Sequence, residues 1–130
     1  KIGMGHPEMA ALGTLTKKLL ESKGLYEKIK PNIASEAPGG DMIAAQFKAG
    51  SLDVGLVYEI NVNSFKQDID IININDEKAV AIQPYAISSL TNNHYLIERL
   101  LESIKNNNNL FTKAGFNYLP KIKSTEKFEK

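Results

Sequence analysis

Two glycine-containing turns stand immediately before helix-like segments, and their backbone amides are well suited to binding chemistry. The first turn runs from Gly5 to Gly13 and the second from Ala37 to Asp41. The first-turn amides of a helix have no partner inside the helix, and the helix dipole adds partial positive charge there. Each turn therefore predicts an anion site. Gly39 and Gly40 lack a Cβ and would let a ligand approach the backbone closely.

Five polar side chains lie near these turns or at the ends of other predicted elements. Tyr58 ends an apolar stretch, and its phenol can donate a hydrogen bond without bringing charge. His6 has two readings, a ligand or proton shuttle and a solvated neighbour of a helix start, and the second is the commoner. His94 lies in a polar turn and is a weaker candidate. Glu8 and Asp41 suit the first turns of their helices, where a carboxylate stabilises the dipole.

Composition limits the classes of function. The chain has 130 residues, 42% of them hydrophobic, which suits one soluble globular domain. Its net charge of +1 predicts no nucleic-acid partner, and Arg99 is its one arginine, so guanidinium clamps are not the main means of holding an anion. With no cysteine and no catalytic or phosphate-loop motif, we expect no catalytic residues, no metal-cation site and no cofactor.

Strand, glycine turn and helix follow one another twice in the first fifty residues. A strand "KIGM" (1–4) precedes a helix predicted over 7–23, which Gly24 closes. A second strand "NIAS" (32–35) precedes a helix over 41–49, which Gly50 closes. This alternation predicts an α/β fold with three layers, a mostly parallel sheet and flanking helices. Ligands of such sheets bind outside the carboxyl ends of the strands, where both glycine turns would lie.

The rest of the chain predicts three more strand regions and a terminal helix. The run "LDVGLVYEI" (52–60) is apolar enough for a buried parallel strand, and "DIDIININ" (68–75) alternates as a one-sided strand does. A further strand region covers 78–90 and is broken by Pro84. The helical period then recurs at five apolar positions: Leu96, Ile97, Leu100, Leu101 and Ile104.

Three segments in order carry a family resemblance: Gly5 to Gly13, Lys23 to Pro31, and Gly50 to Tyr58. Together they resemble the second half of the periplasmic molybdate/tungstate-binding proteins of ABC transporters, over residues 1 to about 118. The resemblance implies the second lobe of a two-lobed periplasmic-binding-protein fold, followed by the C-terminal helices. It also implies a protein that closes on a tetrahedral oxyanion through neutral donors and delivers it to an ABC permease.

The resemblance also implies which residues bind the anion. It places backbone donors at Leu12 and Gly40, beside Ala11 and Gly39, and a phenolic donor at Tyr58. At Leu12 a large side chain stands where the family has a small one, although the backbone amide is still available. Gly39 and Gly40 stand where the family has an acidic and an aliphatic residue. The resemblance therefore does not determine the shape of the cavity or the anion that it prefers.

The implied organisation has three parts: a ligand-binding lobe over 1–84, a crossover strand and helices over 85–118, and a charged tail over 119–130. The middle part would pack on a first lobe that these residues do not contain, so we expect that lobe or a second copy of the chain to cover it. The start at Lys1 suggests a piece of a longer protein, and the resemblance implies that this protein is extracytoplasmic. The alternative is the effector-binding domain of a cytoplasmic transcription regulator with the same architecture.

Overall fold

The computed structural model describes residues 1–119 and contains two compact units. The first spans Lys1–Gln83 and the second begins at Pro84. The predicted boundary between 84 and 85 lies next to this division. The assignment of the first part as a ligand-binding lobe is a separate matter and remains a prediction.

A parallel three-stranded sheet forms the centre of the first unit. Its strands are β1 (Ile2–Gly5), β2 (Ile33–Ala37) and β3 (Val54–Gly55), in the order β2-β1-β3. β1 is the central strand, paired with β2 up to the Gly5↔Ala37 register and with β3 over two residues. The predicted mixed α/β class, with a parallel sheet flanked by helices, is confirmed.

Two helices connect the strands, and each follows a strand directly. Helix α1 (Ala11–Ser22) follows β1, and α3 (Gly40–Lys48) follows β2, with α2 (Tyr26–Ile29) and a 3-10 turn at Lys30–Asn32 between them. The chain crosses from β1 to β2 and then back past β1 to β3. Gly24 and Gly50 adopt the left-handed conformation that the sequence predicts for helix ends.

The core of this unit has two apolar clusters. One contains Leu12, Ala37, Ile43 and Leu52, and it joins the start of α1, the end of β2 and the middle of α3. The other contains Ala44, Val62 and Phe65. Since Val62 and Phe65 belong to a 3-10 segment at Glu59–Asp68, the chain beyond β3 packs on α3.

Two strand predictions are wrong, and a third is confirmed only over two residues. Over 52–60 only Val54–Gly55 is a strand, and the chain turns into the 3-10 segment immediately after Tyr58. Residues 68–75 and 78–90 contain no strand; apart from the end of the 3-10 segment and a turn at Glu77–Ala79, their backbone is irregular. Strand pairing needs a neighbouring backbone with free donors and acceptors, and an alternating pattern does not supply one.

The second unit contains the predicted terminal helix. Helix α4 (His94–Asn106) includes all five apolar positions, and α5 (Asn108–Lys113) follows it. Neither helix has a buried residue. The charged tail predicted over 119–130 lies outside the described residues except for Leu119.

Candidate functional site

The start of α1 is held against the end of β1 by a hydrogen-bonded turn. The His6 amide donates to the Ala37 carbonyl (2.8 Å), and the Ala10 amide donates to the His6 carbonyl (3.0 Å). The Thr14 hydroxyl donates to the Pro7 carbonyl (2.8 Å). A Cβ on Gly13 would overlap the carbonyl oxygen of His6, so only glycine allows the helix to begin this close to the strand.

Leu12 lies in the first turn of α1 with its side chain buried in the core. Its side chain is 6% exposed and joins the apolar cluster with Ala37 and Ile43. The large side chain therefore packs into the core, and only the backbone of Leu12 can form hydrogen bonds. Ala11, the first residue of the helix, is exposed.

The start of α3 is partly covered by a side chain from another segment. Gly39 is extended and its Cβ position is open, with no atom within 4 Å. Gly40 is buried, and a Cβ on it would overlap the Asn61 side-chain oxygen and lie 2.7 Å from Asn61 Cγ. Asn61 Nδ2 donates to Asp41 Oδ1 at 2.6 Å. The space beside Gly39, where the sequence predicts that a ligand approaches, is unobstructed. The corresponding space beside Gly40 is occupied by the Asn61 side chain.

Tyr58 is the last residue before the 3-10 segment that packs on α3. The Leu56 amide donates to the Gly3 carbonyl (2.9 Å), which keeps this stretch alongside β1. Tyr58 is half-buried and packs against the cluster that contains Leu12 and Ile43. Burial raises the pKa of its hydroxyl above the ordinary value of 10.0, because the phenolate is poorly solvated there. The phenol is therefore a neutral donor at physiological pH.

These parts meet at the carboxyl edge of the sheet. β1 leads into the start of α1, β2 into the start of α3, and β3 into Tyr58. The strands are parallel, so all three carboxyl ends face the same edge, which is where open α/β sheets bind ligands. The arrangement places both helix starts and Tyr58 at the same edge of the sheet. That they hold a ligand remains a prediction.

Asn61 is the residue of this edge that the sequence analysis missed. The available signal was weak: a polar side chain three residues after Tyr58, in a stretch expected to be leaving the sheet. Asn61 Oδ1 is buried and accepts no hydrogen bond from the described residues. Since the Asp41 carboxylate can only accept, the Asn61 nitrogen must face Asp41 and the oxygen must face Gly40.

The histidines do not form a reactive group. His6 Nδ1 accepts from the Glu8 amide (3.3 Å), and His6 Nε2 lies 4.0 Å from Glu36 Oε2, on a surface where both side chains are about one third exposed. These contacts are typical of a turn before a helix. His94 begins α4 in the second unit. Within residues 1–119 no group of three His, Asp or Glu side chains is placed to hold a metal ion.

Two surface depressions are lined by residues other than those of the candidate site. One is lined by Leu15, Lys18 and Lys78. The other lies along α4, beside Glu98, Glu102 and Lys105. Neither includes Leu12, Gly40 or Tyr58. Among the described residues, no helix combines the length and apolar character needed to cross a membrane.

The comparisons with known proteins give one match. The model of a family described as bacterial extracellular solute-binding protein matches residues 1–117. No curated protein matches the chain, and no solved structure matches it. The match covers both strand-turn-helix units, the segment that carries Tyr58, and α4 and α5.

Proposed function

The chain belongs to the bacterial extracellular solute-binding protein family, and we propose that its solute is a tetrahedral oxyanion such as molybdate or tungstate. The backbone amides of Leu12 and Gly40 and the hydroxyl of Tyr58 would donate hydrogen bonds to the anion. Ala11 and Gly39 would form the adjoining wall. The observation that carries the proposal is the placement of two helix starts and Tyr58 at one edge of the parallel sheet.

Neutral donors suit a solute of this class. Helix amides and a phenol stabilise a dianion through fixed dipoles, with no permanent countercharge to neutralise it. The raised pKa of Tyr58 supports this role, because the hydroxyl keeps its proton at neutral pH and remains a hydrogen-bond donor. Arg99 lies on α4, in the second unit, so the edge of the sheet has no guanidinium of its own.

The remainder of the proposal concerns partners and location. Family membership favours an extracytoplasmic binding protein over the effector-binding domain of a transcription regulator. We propose that an ABC permease receives the solute. We also propose that the residues described above form one half of the pocket and that a first lobe supplies the other half. No catalytic residue and no cofactor are assigned.

Equilibrium dialysis of the full chain against sodium molybdate and sodium tungstate, with the metal content of each chamber measured, tests the proposal. We expect Tyr58→Phe to weaken binding by about 1.5 to 3 kcal/mol, the range for a hydrogen bond to a charged group. His6→Ala is the control and should leave binding unchanged. Equal binding by wild type and Tyr58→Phe, or a larger loss in His6→Ala, would contradict the proposed site.

A further inference from the structure

We infer that Asn61 is a positioning residue, which holds Tyr58 against the start of α3 and fills the space that a side chain at residue 40 would otherwise occupy. This inference rests on the proposed function, since it assigns a role to Asn61 within the same anion site. Asn61 acts through Tyr58 and α3 and is not assigned a contact with the anion.

Hydrogen bonds from the backbone and from the side chain of Asn61 support its role in holding Tyr58 against the start of α3. Its backbone amide donates to the Tyr58 carbonyl (3.0 Å), which closes the turn after Tyr58. Its side-chain nitrogen donates to Asp41 Oδ1 (2.6 Å), in the first turn of α3. One residue therefore links the backbone of the phenolic donor to the helix start that carries the predicted amide donor. The spacing between the two donors depends on that link.

The lack of a side chain at Gly40 supports the claim that Asn61 fills the space beside this residue. The Asn61 carboxamide lies where a Cβ of residue 40 would point, with its oxygen overlapping that position and its Cγ 2.7 Å away. A methyl group at residue 40 would therefore force the Asn61 carboxamide to move from its position beside Asp41. Glycine at residue 40 leaves the Asn61 carboxamide in place, and the backbone of Gly40 is not left-handed.

The identity of the side chain at 61 follows from its neighbours. Aspartate would place a second carboxylate against Asp41 and remove the donor that bridges them. Alanine would remove the bridge and leave a void beside Gly40. Val62 and Phe65 pack on Ala44 of α3 separately from this contact. A change at 61 should therefore shift Tyr58 without releasing the whole segment from the helix.

Binding to the full chain, measured by equilibrium dialysis with sodium tungstate, tests the link to Tyr58. We expect Asn61→Ala to weaken binding by about fivefold to tenfold, and Asn61→Asp to weaken it at least as much. The double variant Asn61→Ala/Tyr58→Phe should bind about as weakly as Tyr58→Phe alone, because Asn61 acts through Tyr58. Gln67→Ala removes an exposed carboxamide from the same 3-10 segment and should leave binding unchanged. Losses that multiply in the double variant, or no loss in Asn61→Ala, would overturn the inference.

Two measurements without ligand separate this inference from the proposed function. The first is the titration of Tyr58, read as the absorbance difference at alkaline pH between a protein and its Tyr58→Phe counterpart. Its midpoint should fall in the Asn61→Ala background, because without the bond to Asp41 the segment holds Tyr58 less firmly against the apolar cluster that buries it. The second is urea unfolding, in which Gly40→Ala should lower the midpoint and Gly40→Ala/Asn61→Gly should recover most of that loss.

The outcomes are distinguishable. If wild type binds no oxyanion while the titration and the urea rescue behave as expected, the proposed function fails and the placement of Asn61 stands. If wild type binds tungstate but the Tyr58 midpoint is unchanged in Asn61→Ala, or Asn61→Gly gives no rescue, the positioning role of Asn61 is wrong.

Discussion

Glycine at residue 13 and glycine at residue 39 stand at the starts of the two site helices in opposite surroundings. Gly13 is buried against the carbonyl oxygens of Gly5 and His6, which belong to the strand end and its hydrogen-bonded turn. Gly39 has open space where a Cβ would point, and its φ of −152° suits any residue. The same residue type therefore has a steric role at 13, whereas at 39 its predicted role is ligand access.

The same substitution at both positions separates these roles. Gly13→Ser should destabilise the chain by about 2 to 3 kcal/mol, because backbone atoms in the turn cannot move aside. Gly39→Ser should leave the free energy of unfolding within about 0.5 kcal/mol of wild type, since serine is also a favourable N-cap residue. Urea unfolding of both variants is the measurement. A Gly13→Ser midpoint equal to that of Gly39→Ser would show that the turn is more compliant than its contacts indicate.

Tyr58 gives a pH dependence of known sign. Its pKa is raised in the folded chain by burial, so the unfolded chain releases the phenolic proton first as pH rises. The unfolded state then binds fewer protons than the folded state, and stability is lost above the ordinary value of 10.0. We expect the urea midpoint of wild type to fall more steeply between about pH 9 and pH 11 than that of Tyr58→Phe. Tyr95→Phe, at a tyrosine that is 71% exposed, is the control. Parallel curves for wild type and Tyr58→Phe would contradict this assignment.

At the scale of elements, the sequence predicts well the features that depend only on residues within the same segment. Helix α1 was predicted over 7–23 and occupies Ala11–Ser22. Its apolar period and Gly24 determine its interior and its end. Residues 7–9 form a turn instead of the predicted first helical turn. The start of the helix depends on a contact with the end of β2, where the His6 amide donates to the Ala37 carbonyl. The local pattern contains no information about that neighbour.

The strands show the same limit more strongly. Residues 52–60 are apolar enough for a buried strand, yet Val62 and Phe65 pack on α3 and draw the chain into a 3-10 segment after Tyr58. Periodicity cannot distinguish a short buried strand from another buried conformation. The same reason explains why Tyr58 could be proposed from its place at the end of a strand, whereas Asn61, which contacts a helix twenty residues earlier, could not.

One ion pair fixes the irregular segment that follows. Lys23 Nζ lies 2.6 Å from Asp76 Oδ2, and Asp76 Oδ1 accepts from the Lys78 amide (2.9 Å). The hydrogen bond from Lys23, followed by the one from Lys78, lowers the pKa of Asp76. These contacts tie the turn at Glu77–Ala79 to the end of α1.

Removing the charge should release this turn. We expect Asp76→Asn to speed tryptic cleavage after Lys78, because the loss of the ion pair frees the backbone for the protease. In wild type, protection should be present at neutral pH and weaken in high salt, since the pair is partly exposed. Glu77→Gln alters an exposed neighbouring carboxylate and should cleave at the wild-type rate. Equal cleavage rates in all three proteins would rule out a role for the pair.

At the scale of the whole molecule, the second unit has a helix, α4, whose apolar side chains are only partly covered by the described residues. Leu96 and Leu100 lie one turn apart on α4 and are each 58% exposed, and Tyr95 beside them is 71% exposed. Ile97, Leu101 and Ile104 are partly covered. An apolar stripe of this kind is costly in water, at about 25 cal/mol for each Å² left exposed.

We therefore expect copies of the chain to associate through α4 at high concentration. Light scattering coupled to size exclusion should give a mass that rises above 14.4 kDa with concentration. The double substitution Leu96→Glu/Leu100→Glu should hold the mass at the monomer value and lower the binding of a hydrophobic dye, because it places charge on the stripe. It should leave the urea midpoint of the first unit unchanged, since neither side chain is buried. Glu98→Gln/Glu102→Gln alters the polar side of the same helix without removing apolar surface and should still associate. A wild-type chain that stays monomeric at all concentrations and binds little dye would show that α4 is covered in solution by other residues of the chain.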